Sequence, residues 1–397
     1  MKEVRLGDVA DVYISGVDKK TLPNEVPVRL CNYTDVYYNW AIRKEKHQTF
    51  MLASAKQDEI AKFRLHTGQV AITKDSETRD DIGHATFIAN DFEDVILGYH
   101  CALITPCAGK LDGQYLNALF RMHYVSDYLS RNAGGSGQRY YLSESAIKSI
   151  PLFLPPIATQ LRIAGVLGSI DEKIELNRKK IAELEALAKT IYDYWFVQFD
   201  FPDANGKPYK SSGGKMVWNE QLKRDVPEGW EVSCLDTVFS VCSGKDHKQL
   251  PDGPFPVLGS GGIMRYADNF LYDGESVLIP RKGTLNNVMF MQSPFWTVDT
   301  MFYTRPKRKN MMRYVYMAIR DFDFARLNTG TGVPSMTASI IGRIAIAIPP
   351  ALLVRRTDML FGDIFSRIDS LNDEVEALTH QRDTILPLLM NGQVVVE

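Results

Sequence analysis

Several short polar stretches of this chain carry side chains that can hydrogen-bond the edges of nucleobases. In the first half they are Tyr37-Tyr38, Lys74-Asp-Ser-Glu-Thr-Arg79 and Ser136-Gly-Gln-Arg-Tyr140. In the second half they are Arg281-Lys-Gly-Thr-Leu-Asn-Asn287 and Thr329-Gly-Thr-Gly332. Arginine and lysine suit guanine edges and phosphates, asparagine and glutamine suit adenine, and serine or threonine serve either. Glycine beside them lets backbone N–H groups come close to phosphate oxygens. The candidate contacts are Tyr37, Tyr38, Lys74, Ser76, Thr78, Arg79, Ser136, Gln138, Arg139 and Tyr140, then Arg281, Lys282, Thr284, Asn286, Asn287, Thr329 and Thr331. A further basic run, Arg305-Pro-Lys-Arg-Lys309, could track phosphates or simply face solvent.

No comparable set exists for catalysis, so the expectation is no catalytic residue and no metal site. No phosphate-binding G-x-x-x-x-G-K-[ST] loop occurs, and Gly259-Ser-Gly-Gly262 does not continue into a dinucleotide fingerprint and reads as a turn. Ser145-Ala-Ile-Lys148 has the S-x-x-K spacing but none of its companion motifs. The cysteines (Cys31, Cys101, Cys107, Cys234, Cys242) form no C-x-x-C pair, which speaks against both a disulfide framework and a zinc site.

Loops need rigid elements to aim them, and the sequence supplies these twice. One amphipathic helix is expected after Pro155-Pro156 and another after Pro349-Pro350. The first has core positions Ile170, Ile174, Asn177, Ile181, Leu184, Ala188, Ile191 and Trp195. The second has Ile364, Ile368, Leu371, Val375, Leu378, Arg382, Ile385 and Leu389. Both sets step by alternating fours and threes, the mark of a coiled-coil seam, and every pair is offset by 194. Each apolar stripe needs a partner, and the natural partner is the other helix of the same chain. Asn177 and Arg382, as polar seam entries, are expected to fix the register at some cost in stability.

The region before each helix repeats more loosely. Leu6-Gly-Asp-Val9 matches Leu235-Asp-Thr-Val238, Gly68 matches Gly274, and Gly135-Ser-Gly137 matches Gly330-Thr-Gly332. Frames that match around interiors that diverge suggest two scaffolds selected to read different things. The expected layout is a domain over 1–155, a helix over 156–199, a linker over 200–229, a second domain over 230–349 and a helix over 350–397. Composition suits a soluble protein, 45% hydrophobic and 24% charged, with no long apolar segment, which predicts a cytoplasmic location. The net charge of −2 is low for a chain that binds nucleic acid unaided, so a partner would have to add positive surface.

This arrangement resembles the specificity subunit of type I restriction-modification systems. The residues that carry the likeness are Leu6-Gly-Asp-Val-Ala10, Leu154-Pro-Pro156 with Gln160, Ile174-Glu-Leu-Asn-Arg178, Gly206-Lys-Pro-Tyr-Lys-Ser-Ser-Gly-Gly-Lys215, Pro227-Glu-Gly-Trp230, Ser276-Val-Leu-Ile-Pro-Arg-Lys-Gly283 and Arg382-Asp-Thr-Ile-Leu-Pro387. The resemblance implies a mixed α/β fold with two target recognition domains and an intramolecular antiparallel coiled coil. It implies that each domain reads half of a split, asymmetric DNA sequence. Two methyltransferase subunits and two translocating nuclease subunits would act on it. S-adenosylmethionine, ATP and magnesium would belong to those partners, and this chain would bind no cofactor. One departure stands out: the second Pro-Pro is followed by Ala351-Leu-Leu-Val-Arg355, with no counterpart of Gln160.

The seam from Ile170 to Trp195 spans about 39 Å at 1.5 Å per residue. Reading modules one DNA turn apart need roughly 34–36 Å between centres, so the helices have the length of a ruler. The competing readings are a divergent stand-alone DNA methyltransferase or nuclease, and a coiled-coil scaffold that binds proteins.

Overall fold

The computed structural model describes residues 2–330, 332–394 and 396. The chain divides into two compact units, Met1–Asn177 with Asp373–Glu397 and Arg178–Asn372. Two helices run across that division, a central one over Ile157–Tyr192 and a C-terminal one over Ala351–Met390.

The sequence repeat is a structural repeat. In the first unit Lys2–Arg5 pairs antiparallel with Pro151–Leu154, the strand that leads into Pro155-Pro156. In the second, Glu231–Cys234 pairs in the same sense with Ala345–Ile348, ahead of Pro349-Pro350. Each ribbon is closed by one 3-10 turn whose leucine is fully buried, Leu6 and Leu235. The Leu6 N–H donates to the Ile150 carbonyl at 2.9 Å and the Leu235 N–H to the Ile344 carbonyl at 3.0 Å. Gly68 and Gly274 precede equivalent strands with φ of +89° and +134°, a conformation that side chains with a Cβ resist.

The first unit is built on a five-stranded sheet, in the order Ala10–Ile14, Cys101–Pro106, Val70–Thr73, Ala85–Ile88, Ala41–Ile42. Both of its faces are covered. Val70, Ile72, Ala102 and Ile104 point into a core shared with the long helices, while Ala71 and Leu103 point into a second core around Leu30 and Ile96. The second unit repeats this with Phe239–Ser243, Met301–Pro306, Ser276–Pro280 and Met289–Met291. Val277 and Ile279 face one core there, and Leu278 and Met301 the other. Burial on both faces explains why these strands read as unbroken apolar runs.

Every seam position named from sequence is buried or half-buried. In the first unit Ile163 and Leu167 of the central helix share a core with Ile385, Leu386 and Leu389 of the C-terminal helix, and Lys173 pairs with Glu374 at 3.2 Å. In the second unit Leu184, Ala188 and Ile191 share a cluster with Phe361, Ile364 and Ile368. Early residues of one helix meet late residues of the other in both units, so the pairing is antiparallel. Trp195 falls just past the central α-helix, in a π turn over Asp193–Val197. Asn177 is fully buried and neither polar atom of its side chain has a partner among the described residues. That is the cost expected of a polar seam residue.

The stretch 200–229, expected as a linker from its turn formers, is folded. Met216–Asn219 and Arg224–Pro227 form a hairpin, and Phe199, Phe201 and Val226 enter the second unit's core. The Phe201 ring stacks on Tyr209 at 4.8 Å, and Asp200 accepts from the Ser211 N–H at 2.7 Å. Aromatic residues scattered among glycines and serines here do the packing that composition alone concealed.

Candidate nucleic-acid interface

In the first unit, strand pairing gathers the candidate residues into one place. Asp75–Ser76, Arg139–Tyr141 and Gly134–Ser136 form a small three-stranded sheet, with Tyr140 opposite Ser76 and Tyr141 opposite Asp75. Its hairpin requires glycine: Gly135 has φ of +102°, and a Cβ there would lie 2.3 Å from the Arg139 carbonyl oxygen. The sheet borders a cleft of about 660 Å³ lined by Lys19, Tyr33, Thr34, Asp75, Ser76, Glu77, Thr78, Asp81, Tyr99, His100, Gln138 and Arg139. Ser76, Thr78, Gln138 and Arg139 therefore converge as named from sequence. Ser136 is exposed on the same hairpin, and the Arg79 guanidinium lies 5.1 Å from the Tyr140 ring. Tyr37 and Tyr38 are not on the wall itself. The Tyr37 hydroxyl donates to Asp81 Oδ1 at 2.8 Å, and Tyr38 is an exposed ring edge-on to Tyr37.

Asp75 organises the floor of the cleft. Its carboxylate accepts from Lys74 Nζ at 2.8 Å and lies 2.6 Å from His100 Nδ1. A carboxylate only accepts, so Nδ1 carries the proton of that bond. Burial works to raise the Asp75 carboxyl, but Lys74 and His100 together outweigh it and hold it below its ordinary 3.8. Lys74 is thus tied inward rather than extended toward a ligand. The Tyr33 hydroxyl, partly buried beside this cleft, is pushed up to about 12 by that burial. Lys19, Tyr33, Asp81, Tyr99 and His100 were not singled out in the sequence. The signal available was an aromatic–histidine pair at the mouth of a strand, and its decisive feature, His100 at φ +76°, has no mark in residue type.

The second unit also joins its two candidate loops. Gly283 N–H donates to the Pro334 carbonyl at 3.0 Å, Met336 N–H to the Arg281 carbonyl at 2.9 Å, and Thr329 N–H to the Ser335 carbonyl at 2.9 Å. Thr284 is exposed beside them, while Thr331 lies outside the described residues. Several of the named side chains are engaged within the unit. Asn286 bridges to Asp323 and Ala325, Asn287 donates to the Ser260 carbonyl, and Lys282 pairs with Asp299 at 3.6 Å. Arg281 lies over the Phe302 ring and reaches the Asp299 carbonyl. Ser260 belongs to Gly259-Ser-Gly-Gly262, the turn of an exposed hairpin, so that turn joins this loop cluster. The basic run is largely spoken for as well: Arg308 clamps Glu231 with two bonds, and Lys307 donates to the Asp236 carbonyl.

Gln160 is buried and faces its own unit. It accepts from the Asp112 N–H at 3.0 Å and donates to the Lys110 and Pro155 carbonyls. Its repeat counterpart, 194 residues on, is Val354, buried with Met311 in an apolar cluster. The missing amide reflects an apolar solution to the same joint. Ser145 and Lys148 lie in a short helix capped by Ser143, with Lys148 paired to Glu144 at 2.7 Å. Among the described residues no cluster of histidine, cysteine, aspartate or glutamate is placed to hold a metal, and no helix is long and apolar enough to cross a membrane.

The profile of the type I restriction modification DNA specificity domain matches residues 1–186 and 227–379. The chain belongs to that family. It is 26% identical over 310 residues to the type I restriction enzyme MjaIX specificity subunit of Methanocaldococcus jannaschii, covering 72% of this chain and 69% of that one. It is 21% identical to the type I restriction enzyme HindI specificity subunit of Haemophilus influenzae over 99% of both chains. The fold is shared with the S subunit of a type I restriction-modification system from M. genitalium, at a TM-score of 0.61 and 16% identity over 98% of this chain and 95% of that one. Mixed α/β units in a tandem repeat, with long paired helices, are therefore a fold this chain shares with that S subunit.

Proposed function

We propose that this chain reads a two-part, asymmetric DNA sequence, one half with each unit, and directs partner subunits that methylate and cleave. The observation that carries this reading is the repeated frame with unlike loops. Both units bring two separated loops together on the same strand framework, yet the first presents Gln138 and Arg139 over carboxylates while the second presents threonines and tethered asparagines. Scaffolds built on one repeated frame with different polar surfaces suit recognition of different sequences. The chain is the non-catalytic component. Methyltransferase and translocating nuclease subunits supply the chemistry, and with it S-adenosylmethionine, ATP and magnesium. With a net charge of −2, much of the positive surface that holds DNA belongs to those partners.

The test is to replace residues 1–150 with the corresponding domain of a relative, assemble the chain with its methyltransferase partners and map the methylated sequence. A change in one half of the target alone is expected. A change in both halves, or in neither, overturns modular reading, and methyl transfer by the purified chain alone overturns the non-catalytic assignment.

A further inference from the structure

The first unit's cleft has a charge pattern that selects what can enter it. Its walls carry Asp75, Glu77 and Asp81 against Lys19 and Arg139, with Lys74 and His100 bound to Asp75, so opposite charges nearly balance and no run of cations lines it. Such a wall offers a phosphate backbone little, whereas it can serve a base edge, because carboxylates accept from the exocyclic amino groups of cytosine and adenine. Arg139 is the exposed cation on the hairpin side of this cleft, with its side chain 60% accessible. It is not free to sweep. Its Nη2 donates to the Tyr99 hydroxyl at 2.8 Å, with the buried Asp75 carboxylate 3.9 Å behind it. Tyr99 is itself held in place, its ring 3.5 Å from that of His100, which is fastened to Asp75. Nη2 also lies 3.3 Å from His100 Nδ1, but that nitrogen gives its proton to Asp75 and accepts nothing, so the second Nη2 hydrogen stays available. Nε and Nη1 have no hydrogen bond among the described residues, which leaves an edge of two parallel donors. A planar fork, anchored at one corner and open along an edge, matches the O6 and N7 acceptors of guanine.

We infer that Arg139 reads a guanine in the half-site of the first unit, with Tyr99 as the residue that positions its fork. This rests on the proposed division of the target between the two units and adds to it the identity of one base.

The assembled methyltransferase, with wild-type chain or with Arg139→Lys, Arg139→Ala or Tyr99→Phe, is given a library of duplexes randomised across the first half-site, and methylation is counted by sequence. Wild type is expected to require guanine at one position, and 7-deazaguanine there, which lacks N7, is expected to be methylated poorly. Arg139→Lys keeps the charge and loses the fork, so preference for that guanine should fall about 5- to 150-fold while the other positions and the second half-site are unchanged. Tyr99→Phe should relax the same position by less and leave the rest alone. A first half-site without guanine overturns the inference. So does an Arg139→Ala variant weakened equally on all sequences with a shallower salt dependence, which would mark a phosphate contact. If exchanging residues 1–150 leaves the half-site unaltered, the division of labour itself fails, a separate result. The deazaguanine arm uses unaltered protein, so a variant that does not fold leaves the test intact.

Discussion

Asp171 and Arg382 approach to 3.9 Å in the first unit, while the positions 194 residues from each, Phe365 and Ala188, share one apolar cluster in the second. The two ends of the helix pair are thus equivalent in geometry and opposite in chemistry. On the first side Asp171, almost wholly buried, also binds Arg43, and the Arg382 guanidinium lies 4.3 Å from the Trp40 ring. On the second side Phe361 and Phe365 pack with Phe290, Tyr316 and Met317. Burial raises the Asp171 carboxyl despite Arg43 and Arg382, so the ionic junction is the more demanding one to assemble.

Asp171→Ala should therefore cost more than a surface ion pair does. It leaves Arg43 and Arg382 largely buried around a missing carboxylate, a loss of about 3–5 kcal/mol by analogy with other broken buried pairs. Urea unfolding of the full chain checks this. A cost below about 1 kcal/mol would place the pair among solvated surface contacts.

Gln160→Val copies into the first unit what Val354 does in the second. Without the amide, the Asp112 N–H and the Lys110 and Pro155 carbonyls lose their partner, at about 1–3 kcal/mol for each group left dry. Stability should fall while the methylated sequence stays the same. A changed sequence would mean that Gln160 reaches DNA.

The Asp75 network predicts a pH dependence with a definite sign. The folded-state pKa lies below 3.8, so the carboxylate adds stability above that pH, and the contribution fades as pH falls through the lowered value. Asp75→Asn lacks it. The gap in denaturation midpoint between wild type and variant should be fully open at neutral pH and close on acidification below 3.8. A gap that stays constant would mean that Lys74 and His100 do not hold the charged form.

Helix length offers a test of the ruler expectation. Inserting one heptad in each long helix, near Asn177 and Leu371, adds about 10.5 Å at 1.5 Å per residue. The gap between methylated half-sites should widen by about three base pairs at roughly 3.4 Å each, with the half-site sequences unchanged. Constant spacing removes the ruler.

The seam was readable in the sequence because helical packing repeats every three or four residues, so Ile174 and Ile368 announce themselves locally. The strand frame was readable where a glycine needed positive φ, as at Gly68 and Gly274. The floor of the first cleft was not. It depends on Asp75 meeting His100 and Arg139, residues 25 and 64 positions away, through pairing that no local pattern encodes. Charge was the least reliable guide. Lys307 and Arg308 could track phosphates or face solvent as far as sequence tells, and Asp236 and Glu231, far back in the chain, engage them.

The unlike junctions set a rule for how such a chain can be recombined. Trp40 and Arg43 belong to the first domain, whereas Asp171 and Arg382 belong to the helices it rests on. A domain imported into the first position without an arginine there leaves the buried Asp171 only its longer contact with Arg382, and one without the ring leaves Arg382 uncovered. Phe290 and Tyr316, which serve the second domain, bring no cation to a carboxylate. The two slots of this tandem protein therefore make different demands on an incoming domain, and exchange within a slot is expected to cost less stability than exchange between slots.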